Sequence, residues 1–447
     1  MDQSIFKAYD IRGVYPQELD EKTAYEVGAA FVKYTKAKNI IVGEDARKSS
    51  PALRDALVKG IVSTGANVIL AGCATTPLFY FSVAATKNAD AGVMVTASHN
   101  PAKYNGFKLV AKGAVPIQPA ELLPLVGISN FQFPISKKKG RIKKINTLDA
   151  YVKKVLSLVD TKKIKPMKIV IDAGNGVAGI TVKKLLKKLP QIKTEKLFFD
   201  IDMSFPNHEA NPMKEENLSA LKIAVKKEKA ALGVAYDGDA DRVGFVDENG
   251  NSVRADFIFA AILPELIKQK NTALYDLRSS KIVAEIIKQL GGKPRMTRVG
   301  HAFIKKDMTK YKAVAASELS AHYYFRDFFG AECSDLVMLY LLKVLSEGKP
   351  LSQIIAPLQK YFQSGEINFE VSDKDAVMAE ILKKYKPAAK NFTDIDGVRL
   401  EFQDGSNWFW FSVRASNTEP LLRLNIEASN KALLEQKTAE LTKIIKK

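Results

Sequence analysis

The chain has 447 residues, 46% of them hydrophobic, with 68 Lys and Arg against 49 Asp and Glu for a formal net charge of +19. That length exceeds what one hydrophobic core sustains, so three or four domains are expected. Composition, apolar run lengths and two cysteines exclude a disordered chain, a helical membrane protein and a disulfide framework.

The longest apolar stretch, Phe257–Ile267, is interrupted by Pro264 and Glu265. Cys73 and Cys333 show no paired spacing, so no zinc site is expected either. The opening MDQSIFKAYD carries no charged-then-apolar signal pattern, and the cytoplasm is the expected compartment. The positive excess is mostly Lys on helix faces such as Lys183–Lys188 and Lys222–Lys229. That spread reads as solvated surface, not as a nucleic-acid footprint. The scarcer Arg12, Arg242, Arg414 and Arg423 sit in loop motifs, and a positive field would draw in small dianions.

In chain order, Phe6–Gly13 (FKAYDIRG) places Tyr9 and Arg12 as a turn anchor and a surface charge. Asp20–Lys36 has helical periodicity. Asn39–Gly43 reads as a strand, followed by Glu44, Asp45, Ala46 and Arg47 and a helix from Ser50. Asn67–Ala71 and Ala91–Val95 read as further strands. This alternation predicts a parallel sheet covered by helices. Thr96-Ala-Ser98-His99-Asn100-Pro101 follows the last strand, with Lys108 one loop further on. It is either a polar turn before proline or a reactive hydroxyl beside a histidine at a strand end.

Phe131–Asn146 is basic and poor in apolar residues, and a first boundary is placed at 146. Leu148–Val159 reads as a connecting helix and Lys168–Ala173 as a strand. Gly174-Asn175-Gly176 then turns into a helix running to Lys188, and its spacing is not that of a dinucleotide loop. Ala231–Tyr236 is a strand leading into Asp237-Gly-Asp239-Ala-Asp241-Arg242. Three alternate carboxylates can wrap a hard divalent cation, or form a solvated acidic turn. An EF-hand is excluded, because Arg242 stands where its sharp turn needs glycine. A second boundary is placed near Gly250. Helices around Phe257–Gln269 and from Ser280 flank a strand at Ala273–Asp276. Val299-Gly300-His301 could be structural or could face a cleft. Ala313–Ser317 is a strand ending in Glu318-Leu319-Ser320-Ala321-His322. Beyond Phe362, Ile395–Val398 and Trp408–Val413 read as antiparallel strands. Arg414-Ala-Ser416-Asn417-Thr418-Glu-Pro precedes a strand at Leu421–Ala428 and a helix at Lys431–Lys446. A cation, hydroxyls and loop amides there can cradle a phosphate dianion.

The Ser98 loop resembles the phosphoserine loop of the α-D-phosphohexomutases, Thr-(Ala/Gly)-Ser-His-Asn-Pro, and the other segments match that family in the same order along the whole chain. The resemblance implies three similar α/β domains with mixed sheets and a smaller C-terminal α+β domain around a central cleft. It assigns a phosphoserine-loop domain to 1–146, a metal-binding domain to 147–250, a sugar-binding domain to 251–362 and a phosphate-binding domain to 363–447. It implies that Ser98 carries the phosphoryl group, that Ser98, Asp237, Asp239 and Asp241 bind Mg²⁺, and that Arg12 and Arg242 neutralise transferring charge. His99, Lys108 and His301 become candidate acids and bases, in no secure order. Tyr9, Arg278, Glu318, Ser320, His322, Arg414, Ser416, Asn417, Thr418 and Arg423 become substrate contacts. Arg278 falls where many relatives have Lys. Ser317, Leu319 and Ala321 depart from the sugar loop Gly-Glu-Met-Ser-Gly-His, and Cys333-Ser334-Asp335 replaces a downstream Asp-Asp-Gly. The implied activity is a reversible phosphomannomutase/phosphoglucomutase working through hexose 1,6-bisphosphate, in a monomer or homodimer whose partners are sugar phosphates. Phosphoglucosamine mutase is the same-family alternative, disfavoured by Leu319 where that enzyme usually has Gln. A non-catalytic sugar-phosphate binding protein is the alternative from another class.

Overall fold

A computed structural model describes residues 2–126, 138–415 and 421–446. Four sheets follow one another along the chain. The first contains β1 (Ile11–Val14), β2 (Asn39–Glu44), β3 (Asn67–Cys73), β4 (Ala91–Val95), β5 (Tyr104–Ala111), β6 (Val115–Pro116) and β7 (Ile142–Lys144), in the order β1-β5-β4-β2-β3-β7 with β6 on β5. The second contains β8 (Met167–Asp172), β9 (Ile192–Leu197), β10 (Leu232–Tyr236), β11 (Val243–Val246) and β12 (Ser252–Val253), ordered β12-β11-β10-β8-β9. The third contains β13 (Thr272–Asp276), β14 (Lys293–Thr297), β15 (Ala315–Ser317), β16 (Tyr323–Phe325) and β17 (Ala331–Glu332), ordered β14-β13-β15-β16-β17.

These three sheets share one plan. Three parallel strands, β3-β2-β4, β9-β8-β10 and β14-β13-β15, are each followed by an antiparallel strand paired to the last of them. The inner parallel strands β4 and β10 read as apolar runs because they are buried throughout, whereas the edge strands β9 and β14 are polar and partly exposed. In each unit the chain leaves the carboxyl end of the third parallel strand and turns back into the antiparallel one. Those three turns hold Ser98, Asp237 and Glu318. The internal repetition read from the sequence is thus one topology used three times.

The fourth sheet is antiparallel, ordered β18 (Phe362–Glu370), β22 (Leu421–Ala428), β21 (Asn407–Ala415), β20 (Val398–Asp404) and β19 (Asn391–Thr393). It has a core of its own, including Leu400, Phe411, Leu424 and Leu441. One continuous core instead joins the first three units, running from Phe79 and Tyr80 through Ile169 and Val234 to Phe257 and Leu339.

Helix starts follow the sequence signals. Asp20 caps Glu21–Thr35 by accepting from Thr23 N–H, and Ser280 caps Lys281–Gln289. Pro264 lies inside the Ala255–Leu266 helix near its end. Three elements named here depart from expectation. Ile142–Lys144, in the stretch read as a basic connection, adds a parallel edge strand to β3, its side chains exposed and so without an apolar signature. The strand β18 and the helix Lys374–Tyr385 were not anticipated, because their burial is slight. No helix among the described residues is long and apolar enough to cross a membrane.

The Glu21–Thr35 and Ser50–Ser63 helices of the first unit approach to backbone contact. A Cβ at Gly60 would lie 2.1 Å from the Tyr25 carbonyl oxygen, and one at Gly28 would lie 2.3 Å from that of Leu57. Gly60→Ala should therefore force the helices apart and destabilise the chain by about 1–3 kcal/mol, as overpacking usually does. A thermal melt checks this; an unchanged Tm would mean that the pair is not held at this separation.

Candidate active site

The Ser98 loop is held from below by Arg47, which is 1% exposed. Its guanidinium donates to the carbonyls of Ser98 (2.8 Å), Asn100 (2.7 Å), Pro101 (2.8 Å) and Tyr104 (3.1 Å), and pairs with Asp45 at 3.1 Å. Four carbonyls converging on one planar cation fix the loop, and this lets Ser98 adopt a left-handed φ of 52°. Ser98 N–H donates to Thr96 Oγ1, and Ser98 Oγ donates to Asp237 Oδ2 at 3.0 Å. His99 Nδ1 lies 3.2 Å from the same Oγ. Burial, with Arg242 and Arg12 close by, holds the His99 pKa well below the usual histidine range, so this ring is neutral at pH 7.

The second loop docks on the first through its backbone. A Cβ at Gly238 would lie 2.5 Å from the Ser98 carbonyl oxygen, so only glycine admits the contact. Asp239 meets the start of the Thr76–Ala85 helix: Thr76 N–H donates to its carbonyl and Thr76 Oγ1 to its Oδ2, at 2.8 and 2.7 Å. Asp237, Asp239 and Asp241 are buried, with one carboxylate oxygen from each lying within 4.8 Å of the others. Burial and mutual repulsion raise Asp237 well above the carboxylate range and push Asp239 to about 6. Burial acts on Asp241 too, but Lys108 and His322 outweigh it and hold that carboxyl well below its usual pKa. Among the described residues, Asp239 Oδ1 is buried without a hydrogen-bond partner, while Asp241 Oδ1 faces His322. Three convergent carboxylates with an orphaned oxygen are a donor set that fits a hard divalent cation.

Cations from other segments surround this cluster. Lys108 Nζ lies 3.0 Å from Asp241, 3.5 Å from Asp10 and 4.0 Å from Asp239. Burial would strip its proton, but Asp10 and Asp241 prevail and raise its pKa, so Lys108 is a fixed cation. Arg12 pairs with Asp10 and donates to Asn100, both at 2.9 Å, and Arg242 Nε stands 3.9 Å from Asp237. His322 Nε2 is 3.3 Å from Asp241, and its Nδ1 is 3.2 Å from Glu318. Burial lowers the His322 pKa, but Asp241 and Glu318 carry it to about 9, so this histidine is charged at pH 7. Arg242 Nε, 3.3 Å from His322 Nε2, then meets a protonated nitrogen and not an acceptor.

The Glu318 turn forms here without the family's two glycines. Ser317 lies in β15, where no glycine is needed. Ala321 takes the left-handed turn with φ 66°. Glu318 accepts from Gly300 N–H and from the Tyr324 hydroxyl, and Ser320 Oγ lies 3.1 Å from His322 Nδ1. The segment Val299–His301 joins the neighbouring units: Val299 O accepts from Tyr9, Val299 N–H donates to Asp396, and His301 Nε2 faces Asp10 at 3.2 Å.

Ser98, His99, Lys108, Arg12, Arg242, the three aspartates, Glu318, Ser320 and His322 thus share one cleft, with Tyr9 and His301 at its edge. Arg278, Arg414 and Arg423 form a second cluster instead, converging on Glu366 at 3.5, 3.7 and 3.6 Å. Arg278 is also locked on Asp276 at 2.6 Å, and Arg414 on Asp396 at 3.0 Å. Ser416, Asn417 and Thr418 lie outside the described residues. Sequence reading passed over Asp10, Arg47, Thr76, Asp276, Glu366 and Asp396 as site residues. Asp10 and Arg47 stand inside motifs that had been quoted; the others have no local signal. Cys333 and Asp335 are structural here, with Asp335 accepting the hydroxyls of Tyr151 and Tyr236.

Arg47→Lys keeps the charge but not the fork. Losing two charge-assisted hydrogen bonds should cost about 3 kcal/mol or more as the Ser98 loop loosens. Calorimetric unfolding checks this; a wild-type Tm would mean that the carbonyl clamp is dispensable.

Comparison with known proteins covers the whole chain. The phosphoglucomutase/phosphomannomutase alpha/beta/alpha domains I, II and III match residues 3–126, 149–250 and 254–361, and the C-terminal domain of that family matches 366–444. A phosphomannomutase of Methanocaldococcus jannaschii is 40% identical, over 100% of this chain and 98% of its own. A phosphoglucomutase of Neisseria gonorrhoeae is 36% identical over 97% and 95%. The crystal structure of a phosphoglucomutase/phosphomannomutase family protein from Burkholderia thailandensis superimposes with a TM-score of 0.89 at 31% identity, covering 100% of this chain and 98% of that one. With every one of its four units matched in order, the chain belongs to the phosphoglucomutase/phosphomannomutase family and is a phosphohexomutase enzyme.

Proposed function

We propose that the cleft moves a phosphoryl group between Ser98 Oγ and a hydroxyl of a bound hexose phosphate, interconverting the 6-phosphate and 1-phosphate of mannose or glucose through the hexose 1,6-bisphosphate. The observation that carries this reading is the contact of Ser98 Oγ with Asp237, inside a buried carboxylate triad ringed by Lys108, Arg12, Arg242 and His322. A hydroxyl poised on a cluster that needs a cation, with fixed positive groups around it, suits phosphoryl transfer, where catalysis is positioning and charge neutralisation.

Asp237, Asp239 and Asp241, with Ser98, are the groups that would hold Mg²⁺, which when bound supplies positive charge to the transferring phosphoryl group. The remaining work falls to the chain's own residues. Lys108 and Arg12, anchored on Asp10, present cations that do not change charge during the reaction. His99 is neutral and 3.2 Å from Ser98 Oγ, so it can take the hydroxyl proton and return it. His322 stays protonated and, with Glu318 and Ser320, offers donors and acceptors to sugar hydroxyls. Arg414, Arg423 and Arg278 supply the far cradle for the second phosphate, displacing Glu366 as their anion. Ser416, Asn417 and Thr418 are assigned to the same cradle from the motif. Units spanning 1–146, 147–250, 251–362 and 363–447 contribute these four loops in turn. The unpaired Cys73 and Cys333 accord with a cytoplasmic enzyme, acting as a monomer or homodimer.

Incubation with glucose 1,6-bisphosphate should add one phosphate to the wild type by intact mass and none to Ser98→Ala. A phosphate persisting in the variant would place the carrier elsewhere. Asp239→Asn should weaken Mg²⁺ binding in a calorimetric titration and cut turnover on the order of a hundredfold or more, as several kcal/mol of charge stabilisation is lost. Full activity of that variant at limiting Mg²⁺ would remove the triad from the mechanism.

A further inference from the structure

His301 and Lys305 stand one turn apart on the His301–Lys310 helix, so their side chains leave the same face. Both reach one carboxylate. Lys305 Nζ lies 2.6 Å from Glu332 Oε2, and His301 Nδ1 lies 3.8 Å from Glu332 Oε1. Glu332 comes from the edge strand β17 and is 0% exposed, while Lys305 is 6% exposed. The other imidazole nitrogen faces Asp10 at 3.2 Å, from the opposite side of the cleft. Lys305 also crosses between units, its Nζ lying 3.6 Å over the ring of buried Tyr80 in the Thr76–Ala85 helix.

Among the described residues, the imidazole nitrogens and the Glu332 oxygens meet their partners in ion pairs and not in aligned hydrogen bonds. The ring is held by two flanking charges and by Tyr9, whose ring meets it edge-on at 5.9 Å. A glutamate buried this deeply needs a cation, and Lys305 is the one in place. Burial lowers the Lys305 pKa, and Glu332 opposes that fall.

We propose that Lys305 and Glu332 are positioning residues for His301. Lys305 fixes and balances Glu332, and Glu332 fixes the Nδ1 side of the ring so that Nε2 stays turned toward Asp10 and the cleft. This rests on the mutase reading above. Neither residue touches the reacting atoms. The groups facing His301 are Glu332 from β17, Asp10 and Tyr9 from the N-terminal segment, Lys108 of β5 behind Asp10, and Lys305 from its own helix. Glu332→Gln removes one of the two anions beside the ring and with it the charge on its Nδ1 side.

The test is histidine-selective NMR titration of the full chain, which has four histidines. The His301 signal is assigned by its loss in His301→Gln. In Glu332→Gln its pKa should drop by about 0.5–1 pH unit, and kcat should fall roughly tenfold to a hundredfold with KM within about twofold. Lys305→Met should lower kcat in the same way, and Lys305→Arg should restore most of it. Lys306→Met removes a neighbouring exposed charge and should behave as wild type. An unmoved His301 pKa in folded Glu332→Gln overturns the proposal, as does a shifted pKa with unchanged kcat, since the pair would then position nothing used in turnover. If Glu332→Gln does not fold, Glu332→Asp keeps the charge, shortens the reach and must still lower the His301 pKa. Phosphate uptake by wild-type Ser98 separates the two failures: without it the mutase reading falls, and with it only the pair does.

Discussion

Three buried carboxylates set the terms for the rest of the molecule. Asp237, Asp239 and Asp241 stand on one six-residue turn with almost no contact with solvent. Their repulsion is large in a low-dielectric setting, and no cation on their own turn except Arg242 answers it. The compensation comes from elsewhere: Lys108 from the first unit and His322 from the third, with Asp10 behind Lys108 and Glu318 behind His322. Each partner is a buried charge in its turn, so none can be removed without exposing another. The cleft is an alternating lattice of acids and bases that closes only when three units are in place.

The repeated topology explains how three separate turns arrive at one point. Each α/β unit offers the carboxyl end of its third parallel strand, where side chains leave the sheet at the switch between parallel and antiparallel pairing. A continuous apolar core then locks the first three units together. The fourth unit differs. Its core is separate, and its contacts to the third include several polar ones beside the Tyr361–Trp408 ring pair: Lys281 N–H to Glu427, Lys281 over the Trp408 ring, Arg399 to the Leu277 carbonyl and Val299 N–H to Asp396. Such contacts can be exchanged for water at small net cost, unlike buried apolar area.

The sequence disclosed what is local. Strands such as Ala91–Val95 announce themselves because both faces are buried, and Ser98 and the aspartates follow such strands directly. Asp10 and Arg47 were visible as letters but not as site residues. Beyond Asp45 and Arg12 close by, their partners are carbonyls and side chains far along the chain, as with Arg47 and Asn100 or Asp10 and His301. Glu366 and Asp396 gather arginines across strands whose pairing no periodicity reveals. The edge strand Ile142–Lys144 was read as a connection because an exposed edge has no apolar alternation to detect. The loss of two glycines from the sugar loop looked grave in the sequence. It is mild in the structure, since only Ala321 needs a left-handed backbone.

That left-handed residue has counterparts. Ser98, Ala240 and Ala321 have φ of 52°, 61° and 66°, one in each turn that leaves a third parallel strand. None is glycine, and each such conformation costs roughly 1–2 kcal/mol. Glycine at Ser98 would relieve the strain but remove the hydroxyl. The neighbours hold it: Arg47 grips four carbonyls around Ser98, Gly238 lets the Asp237 turn press against it, and Val243 N–H donates to the Ala321 carbonyl to tie the Glu318 turn to the Asp237 turn. Strain in one turn is thus met by bonds from the next unit. The same interlocking that balances charge in the cleft also holds its backbone, and so the site has no part that could be assembled alone.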